Sequence, residues 1–63
     1  MVEEKTVWKI EAGKLIAMAN QRMAILDEAL DTGNYVEALA ELMIVKDLVE
    51  SLEAVVRRLE SIS

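Results

Sequence analysis

The chain has 63 residues, neither cysteine nor histidine, and a formal net charge of −5. Those absences exclude disulfides, thiolate chemistry, thiolate or imidazole metal sites and imidazole acid–base catalysis. At this length a single core barely offsets chain entropy, which leaves association as the route to a stable fold.

Apolar residues make up 54% of the sequence, with Trp8 and Tyr35 the only aromatics; proline is absent and glycine occurs only at Gly13 and Gly33. So few breakers favour long helices. The acidic balance disfavours phosphate backbones and anionic lipid. No apolar run approaches the roughly 18 residues of a membrane span, so no membrane association is expected. The opening residues MVEEKTVW lack the basic-then-apolar order of a signal peptide, and a soluble, cytoplasmic protein is the expectation.

The first element is a helix over about Thr6 to Asp31. Ala12, Ile16, Ala19, Met23, Leu26 and Leu30 step by three and four along it and form one apolar seam. Gly13 lies inside this helix, where glycine costs about 1 kcal/mol relative to alanine; a tolerated surface glycine is the simpler reading, close helix approach or a bend the other. Trp8 is read as an anchor closing the open end.

Asp31-Thr32-Gly33-Asn34 is the one strong punctuation. Gly33 suits the left-handed position just past a helix end. Asn34 can cap the next helix, with Glu37 reaching back to the Asn34 amide as in a capping box.

The second helix runs over about Tyr35 to Ile62. Tyr35, Ala38, Leu42, Val45, Val49, Leu52, Val56 and Leu59 continue the three-and-four stepping for more than three heptads, opposite Lys46, Glu50, Glu53, Arg57 and Glu60. Glu53 and Arg57 make a favourable pair one turn apart. A connection this short makes the helices antiparallel neighbours, each roughly 40 Å long. Reversal at Thr32-Gly33 pairs residues whose numbers total about 65: Leu30 with Tyr35, Leu26 with Ala38 and Leu39, Met23 with Leu42, Ala19 with Val45, Ile16 with Val49, and Trp8 near Val56. The same register sets Glu3 and Glu4 beside Arg57 and Arg58, and Lys5 and Lys9 near Glu60. These exposed pairs are worth about 0 to 1 kcal/mol each.

One seam per helix suffices for a hairpin, and this chain has more. Beside the first stripe the first helix carries Ile10, Leu15, Ala17, Met18, Ala24 and Ile25. The second carries Leu39, Met43, Ile44, Leu48, Val55 and Ile62. Met18 and Ile25 are seven apart, as are Leu48, Val55 and Ile62. The expected interface between chains is Leu15, Met18, Ile25, Ile44, Leu48, Val55 and Ile62. Two all-α hairpins packed on it give a four-helix bundle, a homodimer or alternatively a tetramer.

No chemical motif stands out. A ferritin-like di-metal site needs inward glutamates and a Glu-x-x-His element, and the chain has no histidine. Glu11, Glu28, Glu37, Glu41, Glu50 and Glu53 fall outside the seams and read as a solvated face. Ser51, Ser61, Ser63, Thr6 and Thr32 have no activating base, and no Walker or dinucleotide motif occurs. No catalytic residue, cofactor or metal is therefore expected. Met18, Met23 and Met43 at helical spacing read as core before they read as a promiscuous groove. Lys5, Lys9, Lys14 and Arg22 give the first helix a modest basic side without stacking aromatics, and nucleic acid is not the expected partner.

Residues 31–39, with Gly33, Tyr35, Ala38 and Leu42, resemble the turn-plus-helix segment of tetratricopeptide repeats and of microtubule-interacting-and-trafficking domains. The match covers about ten residues. Leu26 stands where the repeat has a small residue, no proline ends the second helix, and the sequence holds neither a repeat nor a third helix, so no function is carried over. The layout also resembles the Rop-type copy-control proteins, dimers of helical hairpins that bind RNA, in architecture alone. Two functions follow: a self-associating structural or interaction module, with an unidentified protein as a further partner, and a Rop-like regulator binding RNA or DNA. The acidic balance favours the first.

Overall fold

A computed structural model describes residues 3–63 as two helices, α1 (Glu4–Asp31) and α2 (Tyr35–Ser61). They pack side by side into an antiparallel hairpin with Cα extents of 48 × 17 × 12 Å. The all-α hairpin read from the heptads and the turn is thus the fold; α1 begins two residues earlier than expected and α2 ends one residue sooner.

The turn is built from backbone hydrogen bonds. Asn34 N–H donates to the Ala29 carbonyl (2.8 Å) and Gly33 N–H to the Leu30 carbonyl (3.2 Å), the paired bonds of a Schellman motif. Gly33 sits at φ +74°, where an L side chain is strained. The Thr32 hydroxyl donates to the Glu28 and Ala29 carbonyls, which also accept from the Thr32 and Asn34 N–H groups. Asn34 caps α2 through its side-chain oxygen, which accepts from the Glu37 N–H at 3.2 Å. Glu37 answers through the Asn34 side chain, accepting from its Nδ2 at 2.9 Å, and not through the Asn34 backbone amide as expected.

The pairing register stays close to the expected one, but the faces differ. Leu26 and Ala29 cluster with Ala38, Arg22 bonds Glu41, and Glu4 bonds Arg58. These pairs total 62 to 67, bracketing 65. Along α1 the covered or half-covered positions are Lys5, Trp8, Ala12, Leu15, Ala19, Arg22, Leu26 and Ala29, with Ile25 half-covered beside them. Along α2 they are Ala38, Glu41, Val45, Leu48, Leu52, Val55 and Leu59, continued by Ile62 just past the helix end. Both series step three, four, three, four, an antiparallel coiled-coil seam. Ile16, Met23, Leu30, Tyr35, Leu42, Val49 and Val56, assigned from sequence to the seam, are exposed. At 3.6 residues per turn, exchanging these seven for the observed positions turns each helix by about 50° about its axis. The packed side of each helix includes alanines, which lets the helices approach; Ala29 and Ala38 are among the most buried residues.

Candidate interaction surface

Among the described residues the seam contains one ion pair, Arg22–Glu41. Glu41 is only 8% exposed, and its carboxylate accepts from Arg22 Nη1 at 3.4 and 3.5 Å. The sequence pattern puts Glu41 on the solvated face; the structure corrects this and places it at a core position of α2. The signal was present in the sequence, since Arg22 and Glu41 fall on the same three-and-four series as Leu15, Ala19, Leu26, Ala38 and Val45. A reading that counted only apolar residues steps over them.

The remaining ion pairs among the described residues are exposed. Arg58 donates to Glu4 Oε1 at 2.7 Å, joining the open ends of the two helices as the register predicts. Trp8 Nε1 donates to the same oxygen at 3.3 Å, while the residue, half-buried, holds a seam position near the open end. The Arg58 hydrogen bond, with help from Trp8, holds the Glu4 carboxyl below its usual range. Arg57 pairs with Glu53 within α2 at 2.7 Å and does not reach α1.

Antiparallel helices are related by a pseudo-two-fold axis normal to their common plane. Positions that flank the seam in the same sense therefore fall on the same broad face. The Glu4–Arg58 bond marks one such face, with Glu11, Met18 and Ile25 on α1 and Glu37, Ile44 and Ser51 on α2. The other face carries Ile16, Met23 and Leu30 of α1 and Tyr35, Leu42, Val49 and Val56 of α2, each between 41 and 66% exposed. These form three level apolar rungs, Leu30/Tyr35, Met23/Leu42 and Ile16/Val49, followed by Lys9/Val56. Gly13 borders this face, and a Cβ built on it meets nothing within 4 Å, so no close approach inside the hairpin requires it. Val36, Leu39 and Met43 form a separate exposed stripe on the outer side of α2.

The residues expected to face a second chain divide. Leu15 and Val55 are buried between the two helices of one chain, and Leu48 and Ile62 are half-covered in the same seam. Leu15 and Val55 are thus taken up by the hairpin's own seam, whereas Leu48 and Ile62 keep part of their surface open beside it. Ile25 is half-buried, and Met18 and Ile44 are exposed on the Glu4–Arg58 face. Gly33 and Asn34 sit in the turn as expected.

Among the described residues no three carboxylates converge as a metal-binding group, and no helix is long and apolar enough to cross a membrane. A shallow dip between Met43, Lys46, Asp47 and Glu50 follows the surface of α2 alone. Compared with protein-family models, curated proteins and solved structures, the chain matches none.

Proposed function

We propose that this chain is a self-associating helical hairpin, a structural or protein-interaction module without a catalytic role. The observation that carries the reading is the imbalance between covered and uncovered apolar surface. No large side chain is fully buried, while fourteen large apolar side chains are exposed among the described residues. The accessible surface is 4886 Å². A compact monomer of 7.0 kDa has about 4,000 Å². An excess of that size on a chain with so small a core favours association.

The alternative is a Rop-like regulator binding nucleic acid. It would rest on the basic side of α1, and Arg22 is drawn from that side into the seam by Glu41. Lys5, Lys9 and Lys14 remain, against a net charge of −5. Light scattering at micromolar concentration tests the first reading, with twice or four times the chain mass expected and a stable monomer overturning it. Titration with mixed RNA and DNA at physiological salt tests the second; no complex tighter than about 10 µM is expected, and a salt-dependent sub-micromolar complex would reverse the preference.

A further inference from the structure

Resting on the self-association reading, we propose that a second copy of this chain docks on the Ile16/Met23/Leu30–Tyr35/Leu42/Val49/Val56 face, with its turn lying over the first copy's open end. Two observations select the occupant and its direction.

The first is area. The hairpin's broad face spans 48 × 17 Å between Cα atoms, with the rungs running over about 30 Å of its length, so the rungs and their rim together have the scale of the roughly 800 Å² that each partner of a standard stable interface contributes. A flat surface of level apolar rungs is self-complementary under a two-fold axis in the interface plane. The opposite face is a poorer seat, since Glu4, Glu11, Glu37 and Arg58 interrupt its apolar residues and a charge buried there needs a partner.

The second is charge. No lysine or arginine occurs between residues 23 and 45, a stretch that holds Asp27, Glu28, Asp31 and Glu37 besides the paired Glu41. The turn end is therefore acidic. The open half sets Lys5, Lys9, Lys14, Arg57 and Arg58 against Glu3, Glu4, Glu11, Glu50, Glu53 and Glu60 and is close to neutral. Two hairpins docked with turns together would set the acidic ends side by side and place both Lys9 side chains in one rung. Docked with turns opposed, the two-fold axis lies between the Ile16/Val49 and Met23/Leu42 rungs. The Leu30/Tyr35 rung then covers the Lys9/Val56 rung of the second copy, and Asp27 comes within reach of Lys9 of the second copy. One like-charge approach results, Lys46 to Lys46 of the second copy, at the rim where salt screens it.

The experiment combines mass and distance. Met23→Glu and Leu42→Glu, both at exposed positions of the hairpin, should each raise the dimer dissociation constant by about 100-fold or more, by placing a charge in a desolvated contact. Met18→Glu on the opposite face should change it by less than about threefold. The chain has no cysteine, so a spin label on Ser63→Cys in the otherwise native protein reports direction by pulsed electron paramagnetic resonance. With a rise of 1.5 Å per residue, opposed turns put the two labels about 50 Å apart and adjacent turns within about 25 Å. A monomeric wild type overturns the self-association reading itself. A dimer that survives Met23→Glu and Leu42→Glu but not Met18→Glu overturns the choice of face. A short label distance overturns the direction, and it does so without depending on whether any glutamate variant folds.

Discussion

Arg22 on α1 reaches across the seam to Glu41 on α2, Nη1 to both carboxylate oxygens, at 3.4 and 3.5 Å. Glu41 is nearly enclosed, whereas the Arg22 side chain is 42% exposed. The pair is thus a charged layer between apolar layers of the seam, closed on one side and open to water on the other. Removing the cation leaves an enclosed carboxylate unpartnered. Arg22→Leu should therefore destabilise the fold by about 2 kcal/mol, less than a fully buried pair because water reaches the guanidinium. Replacing both residues by leucine should recover that loss or exceed it, because an apolar layer avoids the desolvation of two charges. Thermal unfolding of the two single variants and the double variant measures the coupling. Equal effects of Arg22→Leu in the presence and absence of Glu41 would show that the pair is not coupled.

The turn makes a second prediction. Gly33 has positive φ and a Cβ built on it meets no neighbour, so a substitution there is penalised by backbone strain and not by crowding. Gly33→Ala should cost about 1 kcal/mol, and Gly33→Val more, since a branched side chain fits the left-handed region worse. Asn34→Ala should cost about 1 kcal/mol through loss of the cap to Glu37 N–H. Chemical denaturation of the three variants checks the order; a Gly33→Val protein as stable as the wild type would contradict the Schellman geometry.

The Glu4 carboxyl is held below its usual range, first by the hydrogen bond from Arg58 and then by that from Trp8. A depressed folded value means that the contribution to stability is present above the usual carboxylate range. It is lost as pH falls through the lowered value. The group is exposed, so the effect on stability is small and the titration itself is the better readout. Carbon-detected NMR of the Glu4 carboxyl should show it titrating below the usual carboxylate range, and Arg58→Ala should return it toward that range. No change in Arg58→Ala would show that the cross-helix bond is absent in solution.

The fold was legible because local signals agree with one another. Gly33 and Asn34 mark one reversal, breakers are otherwise almost absent, and both helices carry heptads. The packed face was less legible, for a definite reason. Three positions of each heptad are apolar along much of both helices, so two overlapping seams step by three and four without a break. Ala12, Ala19, Leu26, Ala38, Val45, Leu52 and Leu59 belong to both. The choice then rests on their companions. Ile16, Met23, Tyr35 and Leu42 look more like core than Arg22 and Glu41 do when each residue is weighed alone. Cross-helix pairing decides otherwise, since the two opposite charges satisfy each other only when both helices turn them inward. The same ambiguity leaves the larger apolar residues outside, and the exposed face follows from it.

The central claim is that the hairpin buries too little by itself and is completed by association. Thermal unfolding followed by circular dichroism across a hundredfold range of protein concentration tests it most directly, because mass action couples folding to assembly. The midpoint should rise steadily with concentration, and the low-concentration end should lose helix already at room temperature. A sharp transition at one temperature throughout that range, with the mass of a single chain at every concentration, would contradict the account.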